Sequence, residues 1–202
     1  MFDNNLSMQL PDAELLFMPD FYTPSVSDPF FKALTAELAW EQGEITMFGK
    51  KVSEPRLTAW YGDAGKTYTY SGKKQEPLAW HPHLLTIKKD VEKAIAEQLK
   101  TVVKFNSVLG NYYRNGQDSM GFHADNEKEL GQNPVIASVN FGETRRFIFR
   151  RRDDKTMQYE LVLTHGSLLI MSGAMQHRWL HAIPKQPKRT KPRINLTFRH
   201  IL

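Results

Sequence analysis

The apolar positions of the chain change period part-way along it. Over 83–100, Leu84, Ile87, Val91, Ile95 and Leu99 recur every three or four residues, the spacing that lines one face of a helix. A shorter stretch does the same: Phe30, Phe31, Leu34 and Leu38 share a face, Asp28 stands where a cap belongs, and Pro29 suits a first helical position. From Phe105 onward the character changes. Short β-prone runs at 107–113, 135–141, 146–150, 159–163, 167–171 and 193–198 are mostly separated by Gly, Asn and Asp. Many short strands in one region predict a double-sheet jelly roll or barrel. Earlier, 44–52 reads as a hairpin turning near Gly49. Residues 1–26, punctuated by Pro11, Pro19 and Pro24, read as an irregular lead-in, and 61–80, rich in Gly, Tyr and Pro, as a loop region of functional character. The expectation is one α+β domain, helices first and a β-sandwich after them.

Composition narrows this picture. A chain of 202 residues, 41% hydrophobic, can build one sizeable core. The absence of cysteine excludes disulfides, thiolate-held zinc or iron–sulfur clusters and a Cys nucleophile, so any metal must sit on nitrogen and oxygen ligands. A net charge of +5 points weakly to polyanions. Met1 to Leu10 lacks the basic start and apolar stretch of a signal peptide, and no segment approaches the ~18 apolar residues of a membrane span. An intracellular protein without a membrane partner is expected, cytoplasmic in a bacterium and nuclear in a eukaryote.

Four groups of residues carry candidate chemistry. In His123-Ala124-Asp125 an imidazole and a carboxylate lie two apart, on one face of an extended segment, and can bind one metal ion. That is half of a two-histidine, one-carboxylate site of the kind that leaves positions open on iron(II). The missing ligand would be His165, His177, His181 or His200, and the strand-like setting of His181, 179–184, favours it mildly. In 193–199 the alternation is clean: Ile194, Leu196 and Phe198 take one face, and Arg193, Asn195, Thr197 and Arg199 the other. Two guanidiniums, an amide and a hydroxyl suit a small dicarboxylate, unless this is a solvated edge strand. Asn111 and Tyr113 also share a face and can complete an anion site. Basic residues at Arg145, Arg146, Arg150–Arg152, Lys185, Lys188, Arg189 and Lys191, with Phe48, Trp60, Tyr68 and Tyr70, would form a basic surface with aromatic stacking partners.

Together and in this order these motifs resemble the AlkB family of iron(II)- and 2-oxoglutarate-dependent dioxygenases. The resemblance runs from about residue 12 to Leu202 and is densest over 47–72 and 111–202. It rests on His123-x-Asp125, on His181 and on Arg-x-Asn-x-x-x-Arg at 193–199. It implies a double-stranded β-helix core over 105–202, with helices and a nucleotide-recognition lid over 1–104. It implies Fe(II) on His123, Asp125 and His181, and 2-oxoglutarate on Asn111, Tyr113, Arg193, Asn195, Thr197 and Arg199, with O2 as the third reactant. One carboxylate would meet Arg193 and Tyr113, and the other, beside the metal, Arg199 and Asn111.

The activity implied is oxidative dealkylation of 1-methyladenine and 3-methylcytosine in DNA, duplex or single-stranded, with formaldehyde, succinate and CO2 as products. Within the family the chain is most similar to members acting on double-stranded DNA. Met47-Phe48-Gly49-Lys50 matches their hairpin, whose aromatic tip enters the base stack, and 61–65 and 67–72 match their lesion-pocket loop. Substrate contacts would come from Phe48, Tyr68, Tyr70, Asn126, Glu127 and Arg145. Tyr70 stands where such members can have Phe, and Asn126 where an acidic residue can occur, leaving Glu127 as the nearby carboxylate. No obligate protein partner is inferred. The same chemistry on RNA or a protein side chain, and a nucleic-acid-binding module without catalysis, are the alternatives; the complete ligand set argues against the second.

Overall fold

Helical periodicity is obeyed where it was strongest. Helix α2 (Pro82–Leu99) starts at an extended His81, whose side chain accepts from the His83 N–H, and buries Leu84, Ile87, Val91 and Ile95 completely. Each of these side chains contributes about 1.5–3 kcal/mol of transfer free energy. The computed structural model describes residues 4–47, 49–66, 68–70 and 73–202, with the side chains of 45–47, 68–70 and 73–75 outside that description. Helix α1 (Pro24–Glu37) begins four residues before the expected cap: Thr23 is extended, Pro24 takes the first turn, and Pro29 lies inside the helix. Asp28 instead faces His165, at 3.1 Å. No described helix is long and apolar enough to cross a membrane.

Both helices pack on one face of an eight-stranded sheet. Its strands are β1 (Leu6–Leu10), β2 (Ala13–Met18), β3 (Glu41–Met47), β4 (Lys50–Gly62), β7 (Ser107–Tyr113), β9 (Ile136–Gly142), β12 (Leu168–Gly173) and β14 (Arg193–Arg199). Their order across the sheet is β1-β2-β12-β9-β14-β7-β4-β3, every neighbouring pair antiparallel. A second sheet covers part of the other face in the order β11-β10-β13-β8, from β8 (Met120–His123), β10 (Arg145–Arg151), β11 (Gln158–Leu163) and β13 (Trp179–Ile183). A small hairpin of β5 (Tyr68–Tyr70) and β6 (Lys73–Gln75) stands apart from both sheets. Helices, large sheet and small sheet make three layers with two cores. Leu34, Ile87 and Ile95 meet Val139, Leu196 and Phe198 in one; Ile136, Leu169 and Met171 meet Phe147, Phe149 and Trp179 in the other.

The jelly roll is therefore present, and its composition corrects the expected lead-in. Residues 6–18 form a hairpin whose second strand, β2, pairs with β12 along its whole length, Ala13↔Gly173 to Met18↔Leu168. Leu15, Leu16 and Phe17 are all buried, because β2 has a core on each face, and such a strand shows no alternation to read. Strand β4 likewise continues past the expected hairpin to Gly62 and pairs with β7. Four of the eight large-sheet strands thus come from before residue 105, so the expected split between lid-and-helices and jelly roll is not a boundary in the packing.

The arginines of β10 are corrected too. Arg145 is 1% exposed. Its guanidinium donates to the carbonyls of Asp118 and Pro184, both at 2.8 Å, and of Asn115 at 3.2 Å, tying two loops to the sheet. It is a structural clasp and has no surface to offer a nucleic acid. Arg146 is forked onto Glu160 and Arg151 onto Asp12 and Asp153, so the row is not one free basic surface. Arg150 lies 3.8 Å from the ring centre of Phe122. Trp60 is partly buried, donates to Ser107 at 2.7 Å and packs on Leu130 and Ile201.

Arg145→Met would strand three carbonyl acceptors. A loss of about 3 kcal/mol is expected, or a fall in Tm of about 6–12 °C for a domain of this size. Differential scanning calorimetry checks it.

Candidate metal centre and anion cavity

The pairing of β13 with β8 sets His181 directly opposite His123, with ring centroids 4.3 Å apart. Asp125 follows two residues after β8 ends, and its backbone N–H is held by the Gln176 side chain at 3.1 Å. One ligand atom from each of His123, Asp125 and His181 lies within 4.8 Å of the others. The remaining candidates are engaged elsewhere. His165 accepts from Gly142 N–H and faces Asp28; His177 accepts from Asn133 N–H; His200 pairs with the Lys104 carbonyl.

Electrostatics suit a cation here. Burial pushes the Asp125 carboxyl up, but Arg199, 2.9 Å from Oδ1, and both imidazoles outweigh it and hold the group below the usual carboxylate range. Burial, aided by neighbouring His123, pushes His181 down to about 3 in spite of Asp125. A carboxylate beside a neutral imidazole is the protonation state a metal takes. The fit is supported by an orphan: His181 Nδ1 is buried with no hydrogen-bond partner, in a ring stacked on Phe147.

This cluster closes one end of a cavity of about 210 Å³ between the two sheets. The polar face of β14 runs along it, bringing Arg193, Asn195, Thr197 and Arg199 to its wall, with Asn111 and Tyr113 from β7 beside them. Arg193 is 1% exposed. Burial lowers its pKa to about 10, so it stays charged at neutral pH. Nη2 donates to Asn140 at 2.6 Å, while Nε and Nη1 are buried without a hydrogen-bond partner. A buried guanidinium with spare donors calls for an anion. The volume is below the ~300–1,000 Å³ of drug-sized sites and suits a small organic acid.

Asn195 and Thr197 are committed to the protein as well as lining the wall. Asn195 Nδ2 donates to Ser138 at 2.7 Å and Asn140 at 3.2 Å, and Thr197 donates to Asn195 at 3.1 Å. Glu127 reaches the cavity with a buried, unpartnered Oε2, while Asn126 is exposed. Phe48 lies outside the described residues, as do the side chains of Tyr68 and Tyr70. Sequence reasoning missed Ser138, which lines the cavity, Asn140, which accepts from Arg193, and Arg56, which joins the wall from β4.

The comparisons with known proteins span the stretch of chain that builds this cavity. The family model of the 2OG-Fe(II) oxygenase superfamily matches residues 14–199. The chain is 41% identical to bovine alpha-ketoglutarate-dependent dioxygenase alkB homolog 3 over 91% of its own length and 64% of that protein's. It is 40% identical to human DNA oxidative demethylase ALKBH2, over 87% of this chain and 69% of that one. The chain belongs to the AlkB family of 2-oxoglutarate- and iron(II)-dependent oxygenases. The plant relative, DNA oxidative demethylase ALKBH2 of Arabidopsis thaliana, is 33% identical over 94% of this chain and 67% of its own. A solved structure titled "The structure of OsALKBH1" superposes with a TM-score of 0.69 over 96% of this chain and 100% of that one, and at 18% identity it shows the fold. The cofactors of the family are Fe(II), 2-oxoglutarate and O2, and the cavity of this AlkB-family chain answers both of the bound ones: three nitrogen and oxygen ligands at one end, a buried cation with spare donors in the wall.

The depressed His181 makes the metal-free AlkB-family fold acid-sensitive. The unfolded chain takes up this proton near 6.5 and the folded one only near 3. Between those values the unfolded state binds more protons, so stability falls as pH falls, by at most about 1.4 kcal/mol per pH unit. His181→Phe should flatten that part of the denaturation profile between pH 6.5 and 4, measured by urea melts in chelator.

Proposed function

We propose that this chain removes N-linked methyl groups from DNA bases by oxidation, acting on 1-methyladenine and 3-methylcytosine, in duplex as well as single-stranded DNA. The observation that carries the reading is the juxtaposition of His123, Asp125 and His181 with a buried, incompletely paired Arg193 in the wall of one cavity. The chain spans 64% of the length of alkB homolog 3, so the activity is inferred for this domain from its own residues as well as from its relatives.

Bound iron(II), with 2-oxoglutarate and O2, supplies the oxidation that turns an N-methyl group into a hydroxymethyl, with succinate and CO2 as coproducts; the hydroxymethyl then leaves as formaldehyde. The residues of the chain do the rest. His123, Asp125 and His181 hold the metal, and Arg199 fixes the Asp125 carboxylate by its 2.9 Å contact. Arg193 and Tyr113 would take one carboxylate of 2-oxoglutarate, and Asn111 and Arg199 its other end. Thr197 and Asn195 brace that wall through their hydrogen bonds to each other and to Ser138.

The alkylated bases named here carry positive charge, and the unpartnered Oε2 of Glu127 in the cavity favours a cation electrostatically. An alkylated base that cannot pair costs less to flip out of a duplex. Phe48, between β3 and β4, would occupy the gap it leaves, and Tyr68, Tyr70 and Asn126 would line its path. The nucleic acid places the protein inside the cell.

Formaldehyde release from methylated oligonucleotides, single- and double-stranded in parallel, tests this reading. His123→Ala, Asp125→Ala and His181→Ala should each lose Mn(II) binding and at least about 100-fold in activity, and His177→Ala should retain both. Phe48→Ala should lower duplex activity about tenfold more than single-strand activity, because an unstacking cost of a few kcal/mol is no longer offset. Formaldehyde from methylated RNA alone would move the substrate to RNA, and none from any substrate would leave a binding module.

A further inference from the structure

The bulge in β4 has a role that the metal and anion groups do not explain. Opposite Gly43, the pairing of β3 and β4 steps from Glu44↔Ser53 to Gln42↔Leu57, so Glu54, Pro55 and Arg56 together face a single residue. Bulges re-aim side chains next to active sites, and this one accommodates a proline that has no N–H for the ladder. It sends two charged side chains inward, Glu54 at 2% exposure and Arg56 at 3%. Arg56 Nη2 donates to Glu54 Oε1 at 3.2 Å, and Arg56 Nε donates to Asn111 Oδ1 at 2.7 Å. A Cβ on Gly43 would come within 2.6 Å of Glu54 Oε2, so the glycine clears the place where that carboxylate sits.

The consequence falls on Asn111. A primary amide can present either its oxygen or its NH2 to the cavity, and an anion there accepts only from the NH2. Arg56 has no acceptor, so its Nε–H selects the orientation in which Asn111 Oδ1 faces Arg56 and the NH2 is left for another acceptor. A buried ion pair is expensive, and one that merely filled space would be better replaced by apolar side chains. Here the pair ends on a wall residue of the cavity.

We propose that Arg56, held by Glu54, is a positioning residue for 2-oxoglutarate, acting through Asn111 by fixing the amide with its NH2 toward the cosubstrate. This rests on the reading of the cavity as the 2-oxoglutarate site. The pair serves cosubstrate binding and has no direct part in contacting DNA.

A double-mutant cycle on the full chain loaded with Mn(II), which turns nothing over, tests it by calorimetric titration with 2-oxoglutarate. Arg56→Lys keeps the charge and loses the Nε–H; it should weaken binding about 10- to 100-fold, the worth of one hydrogen bond to a charged group. Glu54→Gln should weaken it in the same direction. In an Asn111→Ala background, adding Arg56→Lys should change the affinity by less than about twofold, because the group through which it acts is gone. Affinity for a methylated oligonucleotide, read by fluorescence polarisation, should stay within about twofold throughout.

An Arg56→Lys loss as large in the Asn111→Ala background as in wild type would show that Arg56 touches the cosubstrate itself, and would overturn the proposal. Weakened DNA binding with unchanged 2-oxoglutarate affinity would assign Arg56 to the nucleic acid and overturn it equally. Should Arg56→Lys not fold, the same cycle run with Glu54→Gln decides by the same rule. Wild-type protein that bound no 2-oxoglutarate would instead remove the reading of the cavity, a failure distinct from additivity in the cycle.

Discussion

Seven consecutive residues of β14 are buried, two of them arginines, and the architecture follows from accommodating that strand. It pairs along its length with β7 on one side and β9 on the other, so its backbone is satisfied and its side chains must divide between the two faces of the sheet. Ile194, Leu196 and Phe198 go to the helix layer. Arg193, Asn195, Thr197 and Arg199 go to the space between the sheets, where taking a guanidinium out of water costs several kcal/mol unless it is paired. The pairing register supplies the partners. Asn195 lies level with Asn111 on β7 and Asn140 on β9, and Asn140 in turn accepts from Arg193. Arg199 finds Asp125, which arrives from the other sheet. One of the two cations is thus neutralised by the protein, and the other keeps donors in reserve.

The second sheet exists at this end to bring three ligand groups over that strand. Strands β8 and β13 meet at the His123↔His181 pair, and the chain leaves β8 immediately afterwards to place Asp125 beneath it. Phe147 from β10 backs the His181 ring, and Gln176 fixes the backbone of Asp125. Burial keeps the His181 imidazole neutral, and Arg199 keeps the Asp125 carboxylate ionised against that same burial. With these two groups already in their metal-binding protonation states little is lost on loading, and the cost appears instead as the acid sensitivity of the metal-free fold.

The chemistry was legible in the sequence wherever a side chain's role is announced by its strand neighbours. His123-x-Asp125 and the alternation of 193–199 each occupy one short extended segment, and period two is enough to read them. His181 needed the structure, because only strand pairing distinguishes it from His165, His177 and His200. Strand β2 was hidden by burial on both faces, which erases alternation. Arg145 was misread although a signal was there. In Arg145-Arg146-Phe147-Ile148-Phe149, period two puts Arg145 on the face of Phe147 and Phe149, and that face is inward. A run of like charges hides its own alternation. Arg56 had no such signal, since Glu54-Pro55-Arg56 lies past the expected hairpin of 44–52 and only the bulge opposite Gly43 turns it in.

Strand β4 ties together the two regions that the proposed reaction must coordinate. It follows the Gly49 turn, where φ is +75, and runs from Lys50 through the bulge to Gly62. Lys50 near the turn and Arg56 at the cavity wall are at most about 20 Å apart at the usual rise of roughly 3.3 Å per residue. Beyond the bulge, Thr58 pairs directly with Asn111. The bulge itself is anchored from both sides: Gln42 donates to the carbonyls of Glu54 and Arg56, and Ser119 N–H to the carbonyl of Pro55. The hairpin and the cavity wall therefore share one piece of backbone: its second leg carries Arg56 into the wall and pairs with Asn111 through Thr58.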